Sequence, residues 1–377
     1  MSWKECTLMS ERAEFVRRAL EGRTTFTALC EVFGVTPKTG YKVLKRFKAE
    51  GPPGLRDRSR RPHHSPKRTP SAMEAVVCEV RREHPVWGGR KIHHLLRQQG
   101  ASEVPAYSTV TDILKRNDLL PDDRRQTRDL QRFEEAEPNA LWQMDFKGHF
   151  ATAGGRCNPL TVLDDHSRFS LCLKACPDQS AESVKAALTR VFQEYGLPRR
   201  MLMDNGSPWG SDQAHPHTHL TAWLMELDIY VSHGRPYHPQ TQGKEERFHR
   251  TLKAELLRQQ TAWSGLDQVQ LAFDLWRDVY NYKRPHQAIG DQPPASRYLP
   301  SQRVFPSVIR PFEYEPGDEV RRVQDKGRIS FRGRTYLVSR AFIGKAVALR
   351  ASEDGRWDVF YCNQRVRRIN LNPPANV

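Results

Sequence analysis

Residues 142–146, Trp142-Gln143-Met144-Asp145-Phe146, set one carboxylate among apolar and aromatic neighbours in a run that otherwise reads as a core strand. An ionised Asp in such a place needs a partner, because unpaired charge is costly to bury. Outward from this run the pattern is β. Leu141 to Phe150, Pro159 to Asp164 and Arg168 to Ala175 are strand candidates, with Ala153-Gly154-Gly155-Arg156 as the first hairpin turn. An amphipathic helix follows over Ala181 to Tyr195, ended by Gly196 and Pro198. Met201 to Met203 reads as a short buried strand, Leu220 to Leu227 as a helix, and Ile229 to Ser232 as a strand. Helices over Gly243 to Leu257 and Leu266 to Tyr282 close the region. The order β-β-β-α-β-α-β-α-α predicts a mixed sheet flanked by helices.

Two further acids stand where side chains can converge on Asp145. Asp204 ends the strand Met201 to Met203, and the carboxyl end of a strand is the usual place for site residues in an open α/β sheet. Glu246 opens a helix. Carboxylates in these three places could hold two divalent ions around an in-line phosphoryl displacement. Taken singly, Asp204-Asn205-Gly206 is most often a plain turn, and Glu246 a solvated helix residue. The helix itself adds weight. Glu246, His249, Arg250 and Lys253 recur at i, i+3, i+4 and i+7, while Phe248, Leu252 and Leu256 make a separate apolar stripe. One face packs and the other presents an acid beside three groups suited to DNA.

Lys and Arg total 60 against 44 Asp and Glu, a net charge of +16 over 377 residues, which points to a polyanionic partner. The excess sits at the ends: 16 basic against 7 acidic residues over 1–70, and 13 against 6 over 318–372. The stretch between is near balance. Glu11 to Ala49 has apolar residues at helical spacing in three short segments. Between the second and third, Gly34 suits a left-handed turn, Thr36 an N-cap and Pro37 the first helical position. This is a helix-turn-helix pattern. Its third helix carries Lys38, Lys42, Lys45, Arg46 and Lys48, as a helix entering a major groove would.

Residues 51–70 are basic and Pro-rich and read as an extended linker. Residues 71–121 read as a second helix-turn-helix-like unit, with Ser108 capping its last helix, and residues 122–137 as a further linker. Residues 317–372 show short alternating segments divided by Gly327, Gly333, Gly344 and Gly355, the pattern of a small SH3-like β-barrel for DNA binding or assembly. Seven scattered cysteines without a Cys-x-x-Cys pair suggest neither a disulfide framework nor a zinc finger. No long apolar run or signal-like start is present in the sequence, so a cytoplasmic protein without membrane contact is expected.

Residues 237–253, Tyr-His-Pro-Gln-Thr-Gln-Gly-Lys-Glu-Glu-Arg-Phe-His-Arg-Thr-Leu-Lys, resemble the third-carboxylate motif of bacterial insertion-sequence transposases with a retroviral-integrase-type core. Trp142 to Asp145, Leu163 to Arg168, Asp204-Asn205-Gly206 and Tyr280 to His286 resemble the family's other landmarks, in order, across residues 138–300. The resemblance implies a multidomain chain: all-α helix-turn-helix units, a central α/β RNase H-like integrase core over 138–300, and a C-terminal all-β barrel. It implies the acids Asp145, Asp204 and Glu246 as catalytic residues and metal ligands, for two Mg²⁺ or Mn²⁺ ions. Oxygen-only ligands agree with a hard cation. Gly followed three residues later by Glu-Arg selects Glu246 over Glu245, and the Asp-His-Ser-Arg match makes Asp164 and Asp165 structural, tying a hairpin.

The function so implied is a DDE transposase acting on double-stranded DNA, at its element's terminal inverted repeats and at a target, as a homo-oligomer of two or more chains. Lys244, Arg247, His249, Arg250 and Lys253 are the DNA-binding candidates of the core. A regulator with an inactive core and an RNase H-like nuclease are the alternatives; the acid triplet argues against the first and the helix-turn-helix units against the second. In one departure from the family, 41 residues separate Asp204 from Glu246, a longer interval than usual, and the added stretch carries His215, His217 and His219. No Cys or acid closes that histidine set, so a polar surface loop is expected there rather than a metal site.

Overall fold

The computed structural model describes residues 8–58, 68–120, 134–210, 216–234, 243–260, 262–352 and 355–371. The chain divides into two compact units, Met1–Arg68 and Thr69–Val377. In the first, α1 (Leu8–Glu21), α2 (Phe26–Val32) and α3 (Pro37–Glu50) enclose Phe15, Val16, Leu29, Cys30 and Leu55. Gly34 takes φ 62° between α2 and α3, a conformation that costs glycine little. Thr36 caps α3, accepting a hydrogen bond from the Thr39 backbone, and Pro37 follows in the first turn. The described part of the expected 51–70 linker begins with a 3-10 turn, Pro52–Leu55, whose Leu55 closes this small core.

The second unit opens with α4 (Ser71–Glu83), α5 (Gly89–Gln98) and α6 (Tyr107–Arg116), packed about Val77, Ile92, Leu96, Val110 and Leu114. Helix α6 starts at Tyr107, one residue before the expected cap Ser108, and Ala106 at its N-cap provides no side-chain bond. Ion pairs hold these helices to the remainder of the unit: Arg90 with Asp291 at 2.6 Å, and Lys91 with Glu255 at 3.8 Å.

The central sheet has β1 (Leu141–Phe146), β2 (Phe150–Thr152), β3 (Gly155–Asp164), β4 (Ser170–Cys176), β5 (Arg200–Met203) and β6 (Tyr230–His233). Its order is β2-β3-β1-β5-β6, with β4 on β3. Strands β1, β3 and β4 are antiparallel, whereas β1, β5 and β6 run parallel. The expected first strand, Leu141 to Phe150, is thus two strands, broken after Phe146. Helix α7 (Ala181–Tyr195), capped by Ser180, and α8 (His219–Glu226) pack on one face through Leu188, Phe192, Leu220 and Leu224. Helices α9 (Gly243–Leu252) and α10 (Leu266–Asp278) cover the other, through Phe248, Leu252, Phe273 and Trp276. Each ends in a π-turn, Lys253–Leu257 and Val279–Lys283, so the two expected long helices are helices with a widened last turn.

Both outer strands of this sheet are closed by side-chain amides rather than by further strands. On β4, Asn281 accepts from the Ser170 N–H and donates to the Ser170 carbonyl, at 2.8 and 3.0 Å. Gln270 does the same work at Ala175 N and Leu173 O. On β6, Gln364 accepts from the Val231 N–H at 2.8 Å and donates to its carbonyl at 2.6 Å. An edge strand presents unpaired backbone groups, and a Gln or Asn amide carries a donor and an acceptor to match them.

The C-terminal region is all-β: β7 (Glu319–Arg322), β8 (Arg328–Phe331), β9 (Arg334–Leu337), β10 (Ala346–Ala351), β11 (Trp357–Tyr361) and β12 (Gln364–Ile369). They form a four-stranded antiparallel sheet, β12-β11-β10-β7, and a β8-β9 hairpin. Its apolar interior, Ile329, Phe331, Phe342, Val347 and Val359 among others, is continuous with that of the central sheet, so the barrel does not stand apart from the core.

Candidate active site

Strands β1 and β5 are parallel neighbours, with Trp142 opposite Met201 and Gln143 opposite Leu202. Asp145 lies near the carboxyl end of β1, and Asp204 is the first residue past β5, so the two acids emerge on one edge of the sheet. Asp145 accepts from the Phe146 N–H at 2.8 Å, and Asp204 from the Gly206 N–H at 3.1 Å. Both are half-buried. Burial first, then the charge of Asp204 and that of Glu246, push the Asp145 carboxyl up to about 6. Burial also raises Asp204, against the Gly206 hydrogen bond and the charge of His233. A carboxyl raised by burial and by like-charged neighbours in this way marks a candidate functional site. Among the described residues, however, no three His, Cys, Asp or Glu side chains stand close enough to enclose an ion.

The two neighbouring glutamates of α9 part company. Glu246 is exposed, whereas Glu245 is wholly buried. Helix geometry explains the split, because Glu245, Phe248 and Leu252 share the buried stripe at i, i+3 and i+7. Beneath Asp145 these side chains meet at one hydroxyl. Thr161, opposite Asp145 in the β1–β3 register, places its Oγ1 3.0 Å from the Asp145 carbonyl, 2.9 Å from Glu245 Oε2 and 2.8 Å from His249 Nε2. A hydroxyl has one hydrogen and cannot donate to both oxygens. A protonated Glu245 carboxyl removes the conflict, and burial followed by the Asp145 charge drives the Glu245 pKa well above its ordinary value. His249 is held neutral, lowered to about 3 by burial and then by Lys147.

Of the DNA-binding candidates on this helix, Arg247, Arg250 and Lys253 are exposed. The structure does not bring Lys244 and His249 to that face. His249 turns inward to Thr161, and Lys244 is salt-bridged to Asp165, which is buried and also accepts from Gln143 Nε2 at 2.7 Å and the Glu135 N–H at 2.8 Å. Asp164 ties the hairpin, accepting from the Ser167 N–H and hydroxyl and from the Asn139 N–H. In the first unit Lys38, Lys42 and Lys45 are exposed on α3, but Arg46 bends back to the carbonyl of Arg56. His215 and residues 237–242 of the motif lie outside the described residues. His217 is not a surface residue: its ring packs 5.4 Å from that of Phe342 in the barrel. Sequence reasoning missed Thr161 and the inward role of Glu245; extending the Phe248–Leu252 stripe back one turn would have found the latter.

Residues 135–239 and 227–294 match the integrase core domain, a match that supports polynucleotidyl transferase activity in general. Residues 11–63 match a helix-turn-helix domain, 39–114 a homeodomain-like domain, and 318–374 the C-terminal domain of IS481 family transposases. The matched domains are those of integrases and of insertion-sequence transposases, in the order that the sequence resemblance implied. It is 27% identical over 239 residues to an uncharacterized 39.2 kDa protein of insertion element IS476 from Xanthomonas euvesicatoria, across 62% of this chain and 66% of that one. It is 21% identical to a putative transposase of insertion sequence element IS5376 from Geobacillus stearothermophilus, across 96% and 88%. Among solved structures, the catalytic core domain of BIV integrase aligns at 26% identity and TM-score 0.33, across 42% of this chain and 92% of that one. Among the described residues no helix is long and apolar enough to cross a membrane.

Proposed function

We propose that this chain is a DDE transposase that binds the terminal inverted repeats of its insertion element, nicks the ends by metal-dependent hydrolysis and joins each freed 3′-hydroxyl to target DNA. The observation that carries the reading is the arrangement of Asp145 and Asp204 on one sheet edge, with Asp145 raised by burial first and then by the charges of Asp204 and Glu246. Asp145, Asp204 and Glu246 would hold two Mg²⁺ or Mn²⁺ ions, an all-oxygen donor set that suits a hard cation. Ions so held supply Lewis acidity to an attacking oxygen and charge neutralisation to a leaving one. In the first step water forms a bond to phosphorus, the bond to the 3′-oxygen breaks, and that oxygen leaves protonated as the 3′-hydroxyl. In the second, the 3′-hydroxyl attacks a target phosphodiester and displaces the target's own 3′-hydroxyl.

The chain's own residues orient these steps. Arg247, Arg250 and Lys253, exposed on the helix that carries Glu246, hold phosphates beside the acids. Thr161 and Glu245 seat the backbone of Asp145 from beneath. Lys38, Lys42 and Lys45 bring α3 to the major groove of a terminal repeat. Two ends must be cut together, so the working form is a homo-oligomer on double-stranded DNA. The test is cleavage and joining of labelled duplexes carrying the element's flanks, with Mg²⁺ and with EDTA, for wild type and Asp204→Asn. Metal-dependent joining that the variant loses, with end binding kept, supports the reading; a variant that still cleaves removes Asp204 from the mechanism.

A further inference from the structure

The strand that stands beside Asp204 is held on its outer side by the C-terminal barrel alone among the described elements. Strand β6 is four residues long and lies at the edge of the sheet, with Met203 opposite His233 in the parallel β5–β6 register. From this strand two contacts reach the loop that begins at Asp204. The His233 ring Nδ1 donates to the Asp204 carbonyl at 2.8 Å, and Asn205 Nδ2 donates to the Gly234 carbonyl at 3.0 Å. The Gly234 N–H adds a bond to the Met203 carbonyl at 2.9 Å. Whatever fixes β6 therefore fixes the backbone of Asp204.

The barrel grips β6 and its surroundings from several points. Gln364, the first residue of β12, is buried and satisfies both backbone groups of Val231. Next to it, Asn363 donates to Asp228 at 2.8 Å, while Tyr361 and Lys345 both donate to Glu226 at the end of α8, at 2.5 and 2.6 Å. The His217 ring lies 5.4 Å from that of Phe342. These contacts sit over a hydrophobic interior that runs unbroken from Val231 to Phe342 and Val359. A domain used only as a mobile DNA arm has no need of a buried amide on the edge of the catalytic sheet.

We propose that the barrel is a fixed brace of the acid site, and that Gln364 is a positioning residue for Asp204, acting through Val231 and His233 of β6. This inference rests on the reading of Asp204 as a metal ligand, and its test separates the two. Full-length Gln364→Ala and Gln364→Met are compared with wild type and with Arg367→Ala, which removes an exposed basic group of the barrel. The Met variant keeps the side chain's bulk but neither donates nor accepts, so it reports on the amide where the Ala variant loses packing as well. Three readouts are taken: hydrogen exchange at residues 203–206 and 230–234, Mg²⁺-induced thermal stabilisation, and single-turnover cleavage of a labelled end duplex.

Both Gln364 variants should bind the duplex as wild type does and exchange at least about tenfold faster at those two segments. They should need about tenfold more Mg²⁺ for the same thermal stabilisation, as loss of a group that orients a metal ligand does. Cleavage should fall by a similar factor, and saturating DNA should not restore it. Arg367→Ala should leave exchange and metal response untouched, and lower salt should recover any weakening of its binding. The brace is refuted if exchange at residues 203–206 and the Mg²⁺ response are unchanged in both Gln364 variants. It is equally refuted if their only defect is weak DNA binding that low salt repairs. Should wild type show no Mg²⁺ response and no cleavage, the DDE reading fails, while the exchange measurement still decides whether Gln364 holds the Asp204 strand.

Discussion

Replacing each of the two adjacent glutamates by glutamine separates a structural acid from a chemical one. Glu245 is wholly buried, its Oε1 has no hydrogen-bond partner among the described residues, and burial plus the Asp145 charge drives its pKa well above 4.5. It is therefore uncharged in the folded protein, and glutamine reproduces its shape and its bond to Thr161. Below pH 4.5, where Glu245 is protonated in both the folded and the unfolded chain, the exchange should cost no more than about 1 kcal/mol, the worth of one altered hydrogen bond. Above pH 4.5 the unfolded chain releases the Glu245 proton while the folded chain keeps it, so wild-type stability falls as pH rises, until the folded-state pKa is reached. The slope from this one group is about 1.4 kcal/mol per pH unit. Glu245→Gln removes that slope, so its stability relative to wild type should climb as pH rises above 4.5. Glu246→Gln touches an exposed side chain and should shift stability by less than about 0.5 kcal/mol. If Glu246 is the third ligand, the same change should remove several kcal/mol of transition-state stabilisation, about 10³-fold or more in rate. Thermal unfolding across pH and single-turnover cleavage of both variants make the test. Cleavage lost in Glu245→Gln and kept in Glu246→Gln would reverse the assignment.

Three other outcomes are expected from the geometry. Lys42→Ala on the exposed face of α3 should weaken end binding across sequences and reduce the slope of log affinity against log salt by about 0.9, measured by titration at several salt concentrations. Asp165→Ala strands the buried Gln143 amide and the half-buried Lys244 and Glu135 N–H groups and should destabilise the second unit by about 3–5 kcal/mol, read by denaturant unfolding. Thr36→Ala removes the cap of α3 and should cost about 1 kcal/mol, seen as a lower midpoint for the first unit with the second unchanged.

The order of elements was legible because each carries its own period and stop signals. Helix α7 keeps its expected limits, Ala181 to Tyr195, since Ser180 caps it and Gly196 ends it at φ 76°. The same local chemistry placed Thr36 and Gly34. What local signals did not show is where an element breaks under tertiary load. Strand β1 stops after Phe146, where Gly148 takes φ 82°, and β2 resumes on the same strand β3 with Phe150 opposite Cys157, while α9 and α10 widen into π-turns where Glu255 and Val279 meet α4–α6. Ser108 lies inside the first turn of α6 instead of capping it, with Ala106 at the N-cap.

The site divides along the same line. Asp145, Asp204 and the exposed glutamate of α9 could be read from strand ends and helix phase, since each depends on its own neighbours. The groups that hold them could not. Thr161 lies 84 residues from Glu245, Gln364 lies 133 residues from Val231, and Asn281 lies 111 residues from Ser170. Each is a polar side chain whose worth comes only from the buried backbone or carboxyl group it meets, and no period along the chain marks such a meeting. The two amide closures nonetheless obey one rule. A sheet whose last strand has no strand beside it leaves backbone donors and acceptors to be satisfied, and in a buried setting each unmet group costs about 1–3 kcal/mol. Asn281 meets this need on the β4 side and Gln364 on the β6 side, so the catalytic sheet is finished by α10 and by the barrel. The barrel residue that closes the β6 edge is thereby tied, through one short strand, to the position of Asp204.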